Sequence, residues 1–276
     1  MLTWGMAWTN ADYLGKYLSS YNLTFLRFLI GFITLIPFCF KRILKQDFTF
    51  QAILNILITS SLFFLYNIFF FKGTDLGDSG QGGVFVTTTN PLITFVIATM
   101  LSRKFTINQL LNISLGVLGG LMTMDIFNLG FESLLNDDSK YFMLCSLIWG
   151  VMTVIMKYGQ EKFDSISYIT LCYLLTCIMS SFFIDINNFY KPYKPLDMIF
   201  IINLFFVSVG AMSFGTSLYI YAIPKIGPIK ASVFIFLVPF IAITFAAIFG
   251  DSQIKDHIVL GGMLSLISVY MINKNN

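Results

Sequence analysis

Apolar residues fill this chain in long runs, and short polar or charged clusters separate one run from the next. A bilayer core about 30 Å thick takes about 20 helical residues, with a usable range of roughly 17–25. Ten runs approach that length: residues 2–18, 22–40, 51–72, 80–101, 106–124, 140–158, 165–184, 197–222, 229–249 and 257–273. Each is expected to be a transmembrane helix. The first is the weakest, because Met1 leaves it barely enough residues. Connections are short except near 125–139 and 185–196, and none of them has room for a soluble domain.

Composition narrows the class further. Of 276 residues 57% are hydrophobic and 11% charged, with a mean hydropathy of +0.79, against about 25% charged in soluble domains. More apolar side chain is present than a soluble core of this size could hide, which sets aside soluble enzymes, nucleic-acid binders and disordered chains. The single histidine, His257, cannot supply a multi-histidine metal site, and Cys39, Cys145, Cys172 and Cys177 all lie inside apolar runs, as small buried hydrophobes do. No phosphate-binding loop of the G-x-x-x-x-G-K-[ST] type occurs, so nothing points to ATP-driven pumping. The N-terminus lacks a basic n-region and a small-residue cleavage site, so no signal peptide is expected. No cofactor and no metal are expected.

Charge in the connections orients the chain through the positive-inside rule. With the N-terminus in the cytoplasm, the inner connections hold Lys41, Arg42, Lys45, Arg103, Lys104, Lys157, Lys162, Lys225, Lys230 and Lys274 against the acids Asp47, Glu161 and Asp164. The outer connections hold Lys72, Lys140, Lys191, Lys194 and Lys255 and most of the acids, among them Asp75, Asp78, Asp137, Asp138 and Asp251. Both termini are therefore expected on the cytoplasmic side of a plasma membrane. Heavy use of Asn, Ile, Lys and Phe fits a low-GC bacterial genome.

The chain also repeats itself. Trp8-Thr9 with Lys16-Tyr17 recurs as Trp149-Gly150 with Lys157-Tyr158, and Asn90-Pro91-Leu92-Ile93-Thr94-Phe95 is echoed by Val238-Pro239-Phe240-Ile241-Ala242-Ile243. Leu115-Gly116-Val117-Leu118-Gly119 pairs loosely with Leu260-Gly261-Gly262-Met263-Leu264. The unit is five spans, 1–138 and 139–276. Five is odd, so the second copy is expected upside down relative to the first. Charge agrees: Asp75 and Asp78 precede the first mid-span proline, Lys225 and Lys230 the second, whereas Arg103 and Lys104 follow the first and Asp251 the second. Inverted repeats typify secondary transporters, with a substrate site near the midplane at the repeat interface.

These residues resemble the EamA family of the drug/metabolite transporter superfamily. In the first half the likeness rests on Trp8…Lys16-Tyr17, Leu23-Thr24-Phe25-Leu26-Arg27-Phe28, Thr87-Thr88-Thr89-Asn90-Pro91 and Gly116…Gly119-Gly120. In the second it rests on Leu147-Ile148-Trp149-Gly150…Lys157, Ala231-Ser232-Val233-Phe234…Pro239 and Gly250-Asp251. The family usually has Gly-Glu where Gly250-Asp251 stands, and an acid where Arg103 stands. The resemblance implies an all-α integral membrane protein of ten transmembrane helices, arranged as two inverted-topology five-helix repeats around a central cavity. It also implies proton-driven or exchange-driven passage of small metabolites. Within the superfamily, Asn10…Asp12…Lys16-Tyr17-Leu18…Phe25…Arg27-Phe28…Pro37-Phe38 is similar to S-adenosylmethionine uptake transporters, a likeness that fades in the second half.

Charged residues inside spans are functional candidates by default. Asp12 and Lys16 stand four apart on one helical face, acid first, the favourable order for a pair, and Trp4 and Trp8 continue that face. The face reads either as a cavity wall on which Asp12 titrates or meets a cationic group, or as Lys16 snorkelling outward with Asp12 neutralised by it. Arg27 offers a fork of donors that never deprotonates, suited to a carboxylate or phosphate; its structural alternative is a tie to Asp12 or to backbone carbonyls. Lys157, the repeat mate of Lys16, has Thr153 where Lys16 has Asp12, and reads as snorkelling. Pro91 frees the carbonyl of Thr87, which Thr88, Thr89 and Asn90 could satisfy while also meeting a substrate. Tyr66 and Asn67, Trp149, and Ser217 with Tyr221 complete the candidate substrate-binding set. Ser213 and Tyr219 lie at the same level, where packing explains small and hydroxyl residues equally well.

The leading expectation is a secondary transporter of a small polar metabolite, an amino acid or a nucleoside-containing one, working by alternating access. Its partners would be that substrate and the lipid bilayer, as a monomer or homodimer, with no nucleic acid. An S-adenosylmethionine-type uptake carrier, a lipid-carrier flippase and a passive channel are the alternatives. An intramembrane enzyme would need clustered His or carboxylates in the spans, which this chain lacks.

Overall fold

The computed structural model describes residues 1–77, 79–103, 106–123, 125–130, 132, 139–161, 163–190, 197–241 and 256–274. Among them, regular structure is helical apart from an isolated antiparallel bridge between Leu18 and Tyr190. The helices are α1 (Leu2–Gly15), α2 (Ser20–Ile43), α3 (Phe50–Leu76), α4 (Ser79–Ser102) and α5 (Ile107–Thr123). After a single turn at Ile126–Leu129 come α6 (Ser139–Gly159), α7 (Ser165–Ser181), α8 (Met198–Ile226), α9 (Pro228–Ile241) and α10 (Asp256–Lys274). Five of these, α2, α3, α4, α6 and α8, are long and apolar enough to cross a bilayer, while α5, α7, α9 and α10 are shorter apolar helices. Asp78, Lys104, Asp137, Asp138, Lys162, Lys191, Lys194, Gly250, Asp251, Lys255 and the end of the ninth apolar run, 242–249, lie outside the described residues.

Local chemistry starts the helices. Ser19 caps α2 by accepting from Asn22 N, Thr49 caps α3 through Ala52 N, Asp164 caps α7 through Ser167 N and Asp197 caps α8 through Phe200 N. Each cap satisfies one of the donors a helix start leaves open. α1 ends earlier than the apolar run suggested, at Gly15. The chain then turns through Lys16 and Tyr17 so that Leu18 can pair with Tyr190.

Much of the packing across the halves is reciprocal. α2 lies on α7, α5 on α10 and α4 on α9, each helix against its own counterpart, whereas α3 on α6 is matched by α8 on α1, and α3 on α7 by α8 on α2; the close contact of α4 with α6 has no such match among the described residues. Single bonds follow the same rule. Trp4 Nε1 donates to the carbonyl of Ala211 in α8 at 3.0 Å. Cys145, 141 positions after Trp4, directs its thiol at the carbonyl of Tyr66 in α3, 3.6 Å away. Where α5 meets α10 the backbones nearly touch: a Cβ on Gly119 would sit 2.7 Å from the carbonyl oxygen of Gly261. Arg42 and Asp164, 3.3 Å apart, tie the ends of α2 and α7.

The middle of α8 is a π-helix, Phe206–Thr216. Such wide turns are rare and often sit at functional sites. Here side chains from three other helices bond to its carbonyls: Arg27 to Val207, Trp4 to Ala211 and Tyr173 to Met212. In a hydrocarbon surround the irregular backbone needs such internal partners.

Candidate functional site

Seven helices converge on a buried cavity of about 40 Å³. α1 contributes Trp4, Ala7 and Trp8; α2 Arg27; α3 Tyr66, Asn67 and Phe70; α4 Val86, Thr87 and Asn90. From the second half come Trp149 of α6, Met212 and Thr216 of α8, and Ile235 of α9. The volume holds roughly two or three waters, far below the roughly 300–1,000 Å³ of ordinary ligand pockets. The conformation is closed, and a metabolite can enter only if the walls part.

Arg27 is the polar centre. It is 6% exposed, and among the described residues it is the one charged side chain that is buried. Its Nη1 donates to Asn67 Oδ1 at 2.6 Å and its Nε to the Val207 carbonyl at 3.1 Å. Asn67 is held in turn by a bond from its Nδ2 to the Phe63 carbonyl, 2.9 Å. The guanidinium lies over the rings of Phe70 and Phe71, with its carbon 5.2 and 5.7 Å from their centroids. Among the described residues no carboxylate pairs with it. A lone arginine at a helix centre costs about 2.5–3.5 kcal/mol on insertion scales; two neutral acceptors and two aromatic faces offset that cost but leave the positive charge without a counter-charge. Beside it, Asn90 Oδ1 is buried without a hydrogen-bond partner. Thr87 turns its hydroxyl back to the Gly83 carbonyl, 2.6 Å away, just before Pro91.

An aromatic layer lies on one side of the cavity, and a polar cluster lies farther along α1. On the side of Met1, Trp4 meets Trp149 edge-on with centroids 5.1 Å apart, and Tyr219 stands 5.1 Å from Trp4 and 6.0 Å from Trp149. Tyr219 also faces an apolar cleft of about 540 Å³ lined by Met1, Leu2, Phe214, Leu218 and Phe234, among others. That cleft is the larger space but lacks converging polar groups, so the smaller cavity is the candidate site. At the other end of α1, Tyr17 and Tyr13 donate their hydroxyls to Asp197 Oδ2 at 3.0 and 3.3 Å, joining α1 to the start of α8. The Phe200 N–H and then these two hydroxyls hold the Asp197 carboxyl below the usual carboxylate range.

The ten residues singled out from sequence divide evenly. Arg27, Tyr66, Asn67, Asn90 and Trp149 share the cavity. Asp12 and Lys16 instead pair with each other at 3.5 Å, with side chains 41% and 51% exposed; Asp12 makes no tie to Arg27, which has turned to a carbonyl and an amide. Thr88 packs against Gly120, and its buried hydroxyl has no partner. Ser217 is buried outside the cavity, and Tyr221 is exposed and bonded to Lys225. Lys157 is exposed, over the ring of Tyr158. Thr153, the counterpart of Asp12, shares a hydrogen bond with Tyr219, 3.1 Å. Phe70, Met212, Thr216, Ile235, the π-helix and the Asp197 cluster were not singled out. Apolar lining residues look like any other core, and nothing in the local pattern marks a wide helical turn.

The EamA-like transporter family profile matches residues 1–124 and again 140–274, nearly the whole chain. The chain belongs to the EamA-like transporter family. Like other EamA-like proteins it is an integral membrane protein and a transporter by family. It is 24% identical over 282 residues to an uncharacterized transporter of Bacillus subtilis (strain 168), YoaV, covering 98% of this chain and 92% of that one. A protein of known crystal structure superposes with a TM-score of 0.76 at 14% identity, over 99% of this chain and 94% of the other; at that identity the likeness concerns the fold alone.

Proposed function

We propose that this EamA-like protein is a secondary transporter that moves a small polar metabolite, an amino acid or a nucleoside-containing compound, by alternating access. The observation that carries the reading is the closed cavity whose walls come from both halves of the chain and whose centre is a buried guanidinium. A site shared between two bodies opens to one side or the other when the bodies rock. The Trp4–Trp149–Tyr219 layer and the Tyr13–Tyr17–Asp197 cluster are the two gates of that cycle.

In this reading all ten apolar helices span the membrane, as two five-helix repeats, 1–138 and 139–276, in opposite orientations. The helix contacts that recur with partners exchanged, α3 on α6 with α8 on α1 and α3 on α7 with α8 on α2, support this, since a two-fold relation between halves makes contacts recur in that way. The loop charges support cytoplasmic termini in a bacterial plasma membrane. Transport is proton-coupled or runs by exchange, and the chain is not an enzyme. The partly exposed Asp12–Lys16 pair lies on the same helix as the cavity residues Trp4 and Trp8.

Solute counterflow in proteoliposomes tests the proposal. Saturable uptake that is accelerated by the same solute inside is expected of a carrier; linear, non-saturating flux would indicate a channel. Replacing Asp12 by Asn should alter uptake or its pH dependence, and unchanged kinetics would remove Asp12 from the mechanism.

A further inference from the structure

Arg27 is a permanent cation shut into the membrane interior among neutral groups, held by Asn67 and a carbonyl of the π-helix, in a cavity that also holds the unpartnered Asn90 Oδ1 and an aromatic wall. Proteins rarely leave such a charge without a counter-charge. The carboxylates at the far end of α1 are otherwise engaged, Asp12 with Lys16 and Asp197 with two tyrosines. Among the described residues no carboxylate pairs with Arg27, and a bound anion would supply the counter-charge.

We propose that the cavity is a monocarboxylate site, in which a substrate carboxylate takes Arg27 away from Asn67 and Val207 while the rest of the molecule lies against Trp4, Trp8 and Tyr66. The inference rests on the carrier reading and names its substrate class. Charge count selects the class. One guanidinium neutralises one carboxylate, in a planar bidentate pair that the fork geometry favours. No second cation lines the cavity, so a phosphate dianion would leave a net negative charge in a low-dielectric space. A cationic amine would face Arg27 with like charge. Binding also has a structural consequence: Val207 lies in the π-helix of α8, so drawing Arg27 toward a ligand releases one of the side-chain bonds that pin the wide turn.

All three tryptophans of the chain, Trp4, Trp8 and Trp149, line this cavity, so intrinsic fluorescence reports it without labels. The purified protein would be titrated with phenylacetate, phenylacetamide, phenethylamine and phenyl phosphate, with excitation at the red edge of tryptophan absorption. The expected result is a saturable change with phenylacetate at concentrations at least tenfold lower than with the other three. Asn67→Asp, which supplies Arg27 with a carboxylate of its own, and Arg27→Gln should each weaken phenylacetate at least tenfold. Thermal melts should confirm that both variants are folded. Where one of the two fails to fold, the other decides. Equal or tighter binding of the amide, the amine or the phosphate overturns the proposal. So does undiminished phenylacetate affinity in a folded variant, or the absence of any saturable response to monocarboxylates of graded size. Counterflow separates the two claims. Saturable counterflow of amines or neutral solutes without a carboxylate response defeats the charge assignment and leaves the carrier standing. A carboxylate response without counterflow of any solute defeats the carrier and leaves the site.

Discussion

Arg27 and Asn67 stand on neighbouring helices of the first half, 40 residues apart in sequence, and meet through a 2.6 Å hydrogen bond from Nη1 to Oδ1 inside the membrane interior. That bond, with the one to Val207, is what keeps a guanidinium in a closed cavity without a counter-ion. A hydrogen bond to a charged group contributes about 1.5–3 kcal/mol. Asn67→Ala is therefore expected to lower the melting temperature in detergent, with a loss in that range.

Arg27→Met should behave differently. Removing the guanidinium relieves the cost of a charge at membrane depth, about 2.5–3.5 kcal/mol, but leaves Asn67 Oδ1 and the Val207 carbonyl without their donor, at about 1–3 kcal/mol each. The two effects nearly cancel, so the expected outcome is a melting temperature close to that of the wild type together with loss of transport. A strongly destabilised, aggregated variant would show that Arg27 is structural.

The chain declared much of this in advance, for physical reasons. Bilayer thickness fixes helix length, so the apolar runs foretell the helices within a few residues. Arg27 stood out because a charge inside an apolar run is costly, and Asn67, Asn90 and Trp149 because they are polar or paired by the repeat. Asp12 carried the same signal as Arg27, yet it sits near the end of a 14-residue helix where Lys16 and solvent satisfy it. Sequence gives the cost of a charge but not its depth. The Asp197 cluster was hidden because its parts, Tyr13, Tyr17 and Asp197, lie about 180 residues apart.

Acid should loosen the Tyr13–Tyr17–Asp197 cluster. The Phe200 N–H and the tyrosine hydroxyls depress the folded-state pKa of Asp197. A depressed carboxyl contributes stability that is fully present above the unfolded value, about 3.9, and is lost as pH falls through it toward the folded value. Asn caps helices almost as well as Asp, so Asp197→Asn isolates the charge. The melting-temperature difference between wild type and Asp197→Asn should be constant above about pH 5 and shrink below about pH 4. A difference that persists unchanged into acid would mean that the charge does not hold these helices.

The Trp4–Trp149–Tyr219 layer separates the cavity from the apolar cleft beside Met1. Trp4 is central to it, since it touches both other rings and bonds to Ala211. Trp4→Ala should open a path from the cleft into the cavity. A cysteine placed at Thr216, which lines the cavity, then becomes reactive toward a membrane-impermeant thiol reagent at least tenfold faster than the same cysteine behind intact Trp4. The native cysteines are all buried, so their background is low. Equal rates would mean that the layer does not seal the site.

Gly119 and Gly261 set the distance between α5 and α10. A Cβ at Gly119 would meet the Gly261 carbonyl oxygen at 2.7 Å and Ser265 N at 2.9 Å, both backbone atoms that no side-chain rotation can clear. Gly119→Ala must therefore push the helices apart. Overpacking costs about 1–3 kcal/mol, while the alanine itself returns about 1 kcal/mol of helix propensity, so the net effect is a loss of up to about 2 kcal/mol. Gly210, on α8, has no atom closer than 3.5 Å to the same hypothetical carbon and is the matched control: Gly210→Ala should leave the melting temperature unchanged or raise it. If both substitutions had the same effect, close approach at Gly119 would not be what joins the two halves along α5 and α10.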